Sequence, residues 1–135
     1  MMKLIIGVRG TGKTKQLIEM VNTAAKESKG SVICIEYGNK LNFDVTYRAR
    51  LIDATTFKID DAHKLLGFVA GIAASDHDIT DLFIDSALKI CQENMDALAE
   101  IVDPIAALAE ASGFRCVITI SADPSECPEV IQKYV

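Results

Sequence analysis

The sequence predicts an α/β fold with three layers, in which a mainly parallel sheet of about five strands lies between two layers of helices. Short runs of apolar, β-branched residues alternate with longer segments whose apolar residues recur at helical spacing. The runs at 31–35 and 82–84 are apolar almost throughout, which is typical of strands covered on both faces. No linker, repeat or low-complexity tract interrupts the 135 residues, so we expect a single domain over 1–135.

The predicted strands and helices alternate along the chain. The strands are expected at 3–6, 31–35, 50–53, 82–84 and 115–120. The helices are expected at 13–28, 60–74 and 92–111, with a short closing helix within 124–134. Asp60 or Asp61 is placed to cap the second helix, and Gly30 to stop the first. Pro104 predicts a kink or a fresh start in the third helix. Strands separated by helical segments imply right-handed crossovers and a parallel sheet with helices on both faces.

A glycine-rich motif joins the first strand to the first helix. Residues 7–14 fit the pattern G-x-x-x-x-G-K-[ST], in which backbone amides and a helix N-terminus bind phosphate oxygens. In such a loop Lys13 contacts the β- and γ-phosphates and the Thr14 hydroxyl binds Mg²⁺. The alternative is a glycine-rich turn that binds nothing. The residues expected to bind a nucleoside triphosphate, with ATP and Mg²⁺ as the cofactors, are Gly7, Val8, Arg9, Gly10, Thr11, Gly12, Lys13, Thr14 and Lys15.

The carboxyl ends of the other predicted strands supply further candidates, because ligands of open parallel sheets bind at that edge. These strands end at Glu36, Asp53, Asp85 and either Ser121 or Asp123. Several carboxylates around a phosphate site would repel the ligand unless a cation lies between them, so at least one should bind Mg²⁺. Asp85 is the best candidate because it closes an apolar strand. The alternative is that Asp85 caps the helix that follows it.

These residues resemble a known family. Residues 7–14 and 82–85 resemble the Walker A and Walker B elements of P-loop NTPases, and more closely those of the RecA-like ATPase core. The resemblance implies that Glu36 activates the attacking water and that Ser121 senses the γ-phosphate. The whole chain is also similar to short bacterial P-loop proteins labelled as twitching-motility (PilT-type) ATPases. The acidic and histidine motifs of true pilus-retraction ATPases have no counterpart here, so a pilus function is not expected.

Four polar residues keep two interpretations each. Glu36 either orients the water in line with the β–γ bond or is a solvated residue that opens the next loop. Arg9 either touches the γ-phosphate or is an exposed loop arginine. Arg48 and Arg50 either act as arginine fingers for a neighbouring subunit or form salt bridges with the acidic surface.

The composition limits which binding partners and which cellular compartment we expect. The net charge is −5 and no two Lys or Arg residues are adjacent, which argues against nucleic-acid binding. No apolar run reaches the ~18 residues of a membrane span, and the N-terminus lacks the features of a secretory signal. The four cysteines form no C-x-x-C pair, so we expect no zinc site and a cytoplasmic, reducing environment.

Three functions are compatible with these features. The first is a slow, Mg²⁺-dependent ATPase that uses Lys13 and Glu36 in catalysis. The second is a nucleotide-dependent binding or regulatory module without significant turnover. The third is a small-molecule kinase, which ranks last because the segment between Asp85 and Arg115 offers only an apolar, acidic helix in place of a lid. So short a chain should leave one face of the nucleotide open, which favours a homo-oligomer or a protein partner.

Overall fold

All five strands belong to one parallel sheet. The computed structural model describes residues 1–135. The strands are β1 (Met2–Gly7), β2 (Ser31–Glu36), β3 (Arg50–Asp53), β4 (Ile79–Ile84) and β5 (Arg115–Ser121). Their order across the sheet is β1-β5-β4-β2-β3, and every neighbouring pair is parallel. The predicted α/β class and parallel sheet are therefore confirmed, and β5 separates β1 from β4.

The chain has five helices, and two of them lie between β4 and β5, where one was expected. They are α1 (Lys13–Glu27), α2 (Ala62–Ser75), α3 (Ala87–Ile90), α4 (Met95–Ser112) and α5 (Glu129–Gln132), with a 3₁₀ turn over Pro124–Glu126. Positive φ angles at Gln92 (56°) and Glu93 (60°) separate α3 from α4. The Asn94 side chain then caps α4 by accepting a hydrogen bond of 3.1 Å from the Ala97 amide. None of the helices has the length and apolar character needed to cross a membrane.

Helix α4 continues through Pro104, so the predicted fresh start at this residue is wrong. Proline inside a helix costs about 3 kcal/mol because one backbone hydrogen bond is lost and the ring crowds the preceding turn. Ile101, Val102 and Ile105 lie on either side of it and are 0–1% exposed. Each such side chain contributes roughly 1.5–3 kcal/mol on burial, and this packing offsets the local cost.

The two faces of the sheet carry separate apolar clusters, which gives three layers. Successive strand residues point to opposite faces. One cluster joins α1 to strand residues that include Cys34, Phe83 and Val117. The larger cluster joins α2, α4 and α5 to the alternate strand residues, including Ile35, Ile84 and Ile118. Helices therefore cover both faces, as the apolar runs predicted.

Two predicted helix boundaries had different outcomes. Asp61 caps α2, since its side chain accepts a hydrogen bond of 2.8 Å from the Lys64 amide. Gly30 does not stop α1, which ends at Glu27 with Ser28 as its cap. A Cβ atom at Gly30 would lie 2.0 Å from the Asp78 carbonyl oxygen. The glycine is thus required by the close approach of two backbone segments at the start of β2.

The cysteines are part of the core. All four are free thiols and all four are buried. Burial raises the pKa of the Cys116 thiol to about 12 and that of the Cys91 thiol to about 11. These cysteines behave as small apolar residues, as the apolar sequence around Cys116 predicted.

Candidate functional site

The loop between β1 and α1 has the backbone that its glycines predicted. Gly10 and Gly12 have φ angles of 85° and 84°, a left-handed conformation that strains any residue with a side chain. Gly7 is required for a different reason, because a Cβ atom there would lie 2.8 Å from the Thr11 hydroxyl oxygen. Gly12 caps α1 without any side-chain hydrogen bond. The first amides of α1 therefore have no side-chain acceptor at the cap, which is the arrangement that binds anions at helix N-termini.

The Lys13 side chain forms a hydrogen bond within this loop. Its Nζ donates a hydrogen bond of 2.9 Å to the Val8 carbonyl oxygen, and Thr11 Oγ1 donates another of 2.8 Å to the same oxygen. Lys13 is only 8% exposed. Burial lowers the pKa of the Lys13 ammonium, and the negative charge of Asp85 partly opposes that effect. The loop thus holds a poorly solvated ammonium group whose only hydrogen-bond acceptor is a backbone carbonyl.

Asp85 connects three elements at the carboxyl end of β4. Thr14 Oγ1, in the first turn of α1, lies 3.3 and 3.4 Å from the two Asp85 oxygens. Thr119 Oγ1, on β5, donates to Asp85 Oδ1 at 2.7 Å and accepts from the Ser86 amide at 2.8 Å. Ser86 Oγ donates to Asp85 Oδ2 at 3.3 Å. Asp85 is therefore fixed in place by hydroxyl groups from residues far apart in the sequence.

The alternative role of Asp85 as a helix cap is wrong. Ser86 occupies the cap position of α3, with a left-handed backbone (φ 59°), and no side chain caps this helix. The Asp85 carboxylate instead faces Thr14. A buried carboxylate beside a hydroxyl fits Mg²⁺, which is held in proteins by one or two carboxylates while phosphate oxygens and water complete its octahedron. Thr14 and Asp85 are thus suited to hold the predicted cation.

Glu36 ends β2 beside Asp85. Ile35 pairs with Ile84 in the sheet, so the two acidic residues follow paired positions on neighbouring strands. Glu36 is 2% exposed, and its Oε1 accepts a hydrogen bond of 3.2 Å from the Leu41 amide. Its Oε2 is the buried side-chain polar atom that has no partner. Burial raises the pKa of the Glu36 carboxyl. The alternative of a solvated loop residue is therefore wrong.

The end of β5 contributes two polar residues, of which the sequence predicted one. Ser121 pairs with Gly7 and lines the cavity in front of the loop. Thr119, which holds Asp85, was not predicted. It lies two residues before Ser121 and thus on the same face of the strand. That alternation is the signal that could have identified it.

The two remaining strand-end carboxylates belong to local turns. Asp53 Oδ1 accepts hydrogen bonds of 2.9 Å from the Gly38 and Thr55 amides. Asp123 caps the 3₁₀ turn by accepting from the Ser125 amide at 3.0 Å. These partners occupy each carboxylate within its own loop, which leaves Asp85 and Glu36 as the acidic candidates.

A basic cavity of about 330 Å³ lies in front of the loop; we call it the phosphate cavity. Its polar wall includes Ser121 and one acidic residue, Glu93. Its basic side chains are Arg9, Lys13, Lys15, Lys40 and Lys89. Because the whole chain has a net charge of −5, this concentration of positive charge is a local property that favours an anionic ligand. The sequence did not predict Lys40, Lys89 or Glu93, which come from a loop and from the α3–α4 segment.

Two further arginines, just before and at the start of β3, lie apart from the phosphate cavity. Arg48 and Arg50 are exposed, and neither lines that cavity. Neither forms a salt bridge, so the predicted pairing with the acidic surface is wrong.

No protein-family model matches this chain, and no curated protein is significantly similar to it. What the chain binds must therefore be inferred from the geometry of the site.

Proposed function

We propose that this chain binds Mg²⁺ and ATP through residues 7–15 and hydrolyses the nucleotide slowly. It would do so as a P-loop NTPase with a RecA-like core. The contact between Thr14 and Asp85 carries the proposal. These residues come from the two halves of the predicted motif pair, 71 positions apart, and they meet beside a cavity rich in basic side chains. A glycine-rich turn that binds nothing would not require a hydroxyl and a buried carboxylate to lie together at this place.

The loop and Lys13 would bind the triphosphate. The loop's amides at the start of α1 have no side-chain cap. The Lys13 ammonium group is only 8% exposed, and it gains a strong interaction when phosphate oxygens replace its single carbonyl acceptor. Thr14 and Asp85 would hold Mg²⁺, which supplies charge neutralisation for the phosphates when bound. Ser121, which lines the same cavity, would face the terminal phosphate.

Glu36 would orient and deprotonate the attacking water. A general base needs a free acceptor atom and a pKa close to the working pH. In Glu36, Oε2 has no partner, and burial raises the pKa of the carboxyl in the direction of the working pH. Since phosphoryl transfer depends mainly on positioning, a single rigidly held acceptor is sufficient for slow turnover.

The second candidate is a nucleotide-dependent binding module without significant turnover. One observation favours it: Glu36 is not among the residues that line the phosphate cavity. In that case ATP would bind at the loop while water stays out of reach of the carboxylate. Phosphate release at saturating Mg-ATP distinguishes the two candidates, since only the ATPase releases phosphate in proportion to protein concentration and time.

Calorimetric titration with ATP, ADP and GTP, with and without Mg²⁺, tests the shared part of the proposal. We expect Mg²⁺-dependent ATP binding that weakens by about 10- to 100-fold in Lys13→Ala, because charge-assisted hydrogen bonds contribute roughly 1.5–3 kcal/mol. The matched control is Lys26→Ala, which removes an exposed lysine from the last turn of the same helix. Absence of binding to every triphosphate by the folded wild-type chain would overturn the proposal.

The compartment and the assembly state are part of the same proposal. Four free, buried thiols are typical of proteins in a reducing compartment, which supports a cytoplasmic location. A homo-oligomer or a protein partner would cover the open face of the nucleotide. Size-exclusion chromatography with and without Mg-ATP tests self-association directly.

A further inference from the structure

We propose that a second cavity, next to the phosphate cavity, binds a small organic anion with a flat apolar body. This anion cavity has a volume of about 500 Å³, within the range of roughly 300–1,000 Å³ that small-molecule sites occupy. Tyr37 and Thr55, which follow β2 and β3, line one side of it, and the segment from Lys89 to Glu93 lines the other. It therefore lies at the carboxyl ends of β2 and β3, on the half of the sheet that does not include β1 and its glycine-rich loop.

The charges of this anion cavity favour a negative ligand. Lys58 and Lys89 both line it, and neither has a carboxylate within salt-bridge distance. Asp60 also lines it, but Lys64 Nζ lies 2.6 Å from its carboxylate and compensates that charge. Glu93 is the remaining acidic side chain of the wall. Two uncompensated ammonium groups against one carboxylate leave an excess of positive charge, which a carboxylate or phosphate group would neutralise.

The apolar residues of the cavity wall indicate which kind of apolar group the ligand would carry. Ile59 and Ile90, both buried, are the aliphatic residues of the lining. The Tyr37 ring is the third apolar member and the exposed one, with Lys89 Nζ 5.6 Å from the ring centroid. A flat ring can pack against the tyrosine while its acidic substituent reaches the ammonium group. An aromatic carboxylate or aryl phosphate matches this combination.

Backbone strain is concentrated at the same place. Only four non-glycine residues in the chain have positive φ angles, and three of them, Lys58, Gln92 and Glu93, line the anion cavity. The fourth, Ser86, lines the phosphate cavity. Such a conformation is strained for a residue with a side chain and is retained mainly at ligand sites and switches. Gln92 Nε2 also donates a hydrogen bond of 2.7 Å to the Asp60 carbonyl oxygen, which ties the two walls together.

The two cavities share Lys89 and Glu93. A triphosphate in the phosphate cavity and an anion in the anion cavity would compete for the same ammonium group. We therefore expect each ligand to weaken the binding of the other by the same factor, since linkage between binding sites is reciprocal. This coupling rests on the proposed nucleotide function, whereas the anion site itself does not.

The test uses ligand-observed NMR and calorimetry of the wild-type chain with benzoate as the probe and benzylamine as its cationic counterpart of similar shape. We expect benzoate to bind and benzylamine not to bind. Lys58→Gln should weaken benzoate about fivefold, the limit for one partly solvated ion pair, and should leave Mg-ATP affinity unchanged because Lys58 does not line the phosphate cavity. The matched control, Lys26→Gln, removes an exposed lysine elsewhere and should change neither affinity.

Equal binding of benzoate and benzylamine, or a Lys58→Gln variant that binds benzoate like the wild type, overturns the anion site. Benzoate affinity that stays constant at saturating Mg-ATP overturns the coupling. A wild-type chain that binds benzoate but no triphosphate would refute the proposed function and leave the anion site standing, so the two failures are distinguishable.

Discussion

Asp85 and Glu36 end neighbouring strands, carry the same charge and are nearly equally buried, at 6% and 2% exposure. Their surroundings differ. Both oxygens of Asp85 accept hydrogen bonds from hydroxyl groups, including Thr14 on α1 and Thr119 on β5. Glu36 receives a bond from one amide of its own loop, and its second oxygen has no partner. Position on the sheet edge therefore does not decide what a carboxylate can do.

These hydrogen bonds explain why we propose different roles for Asp85 and Glu36. A carboxylate whose two oxygens both accept hydrogen bonds is held in one place, which suits a cation ligand. A carboxylate with a free oxygen and a pKa raised by burial suits a proton acceptor. Changes to these two carboxylates and their partners should therefore affect ATP turnover most, Mg²⁺-dependent binding less, and stability least.

Glu36→Gln should have the largest effect, a loss of about 100-fold or more in ATP turnover with ATP affinity kept within about twofold. Removing a general base typically costs 10²–10⁴-fold, while the amide keeps the shape of the side chain. Single-turnover phosphate release measures the first quantity and calorimetry the second. Glu27→Gln, at the exposed end of α1, is the control. Turnover equal to that of the wild type would exclude Glu36 from the mechanism.

Asp85→Asn should remove most of the Mg²⁺ dependence of ATP binding, a change of roughly 10- to 50-fold in affinity in the presence of the cation. An amide cannot supply the negative charge that Mg²⁺ requires, and a charged hydrogen-bonded group contributes about 1.5–3 kcal/mol. Calorimetry in Mg²⁺ and in EDTA measures the difference, and a thermal melt checks the fold. If Mg²⁺ strengthens ATP binding equally in the wild type and in the variant, Asp85 does not bind the metal.

Thr119→Val should weaken Mg-ATP binding about fivefold, because the 2.7 Å hydrogen bond that holds Asp85 is lost and a neutral hydrogen bond contributes about 1 kcal/mol. Thr119→Ser keeps the hydroxyl and should bind like the wild type. Calorimetry of the two variants in parallel isolates the hydroxyl from the effect of side-chain volume. Equal affinities for the valine and serine variants would show that Asp85 needs no support from β5.

The smallest effect concerns the pH dependence of stability. The pKa of Glu36 is raised in the folded state, so folded protein binds more protons than unfolded protein between the two pKa values. Glu36 therefore destabilises the wild type progressively as the pH rises through that interval. Glu36→Gln should be more stable than the wild type at pH 7, and this gain should disappear below the unfolded pKa of about 4.3.

Urea unfolding of both proteins at several pH values measures this gain. The difference in unfolding free energy should grow from acid to neutral pH and then level off. A difference that is constant with pH would mean that Glu36 is not desolvated in solution as its burial indicates.

Much of the fold could be predicted because its signals are local. The five strands occur where apolar runs indicated, although β4 begins at Ile79, three residues before the predicted start. The glycine loop also has the expected backbone, with positive φ at Gly10 and Gly12. Helix boundaries were less predictable: the separation of α3 from α4 depends on positive φ at two non-glycine residues, which composition does not signal.

The sequence by itself determined the parallel α/β class, the backbone of the glycine-rich loop and the identity of the strand-end residues, because periodicity and glycine placement act between adjacent residues. Only the tertiary structure decided which of these residues meet. The strand order brings Thr14 and Thr119 to Asp85 across 71 and 34 positions, buries Glu36, and places Lys40 and Lys89 at the phosphate cavity. Such contacts depend on which strands pair and which helices cover them, and that is a property of the packed chain as a whole.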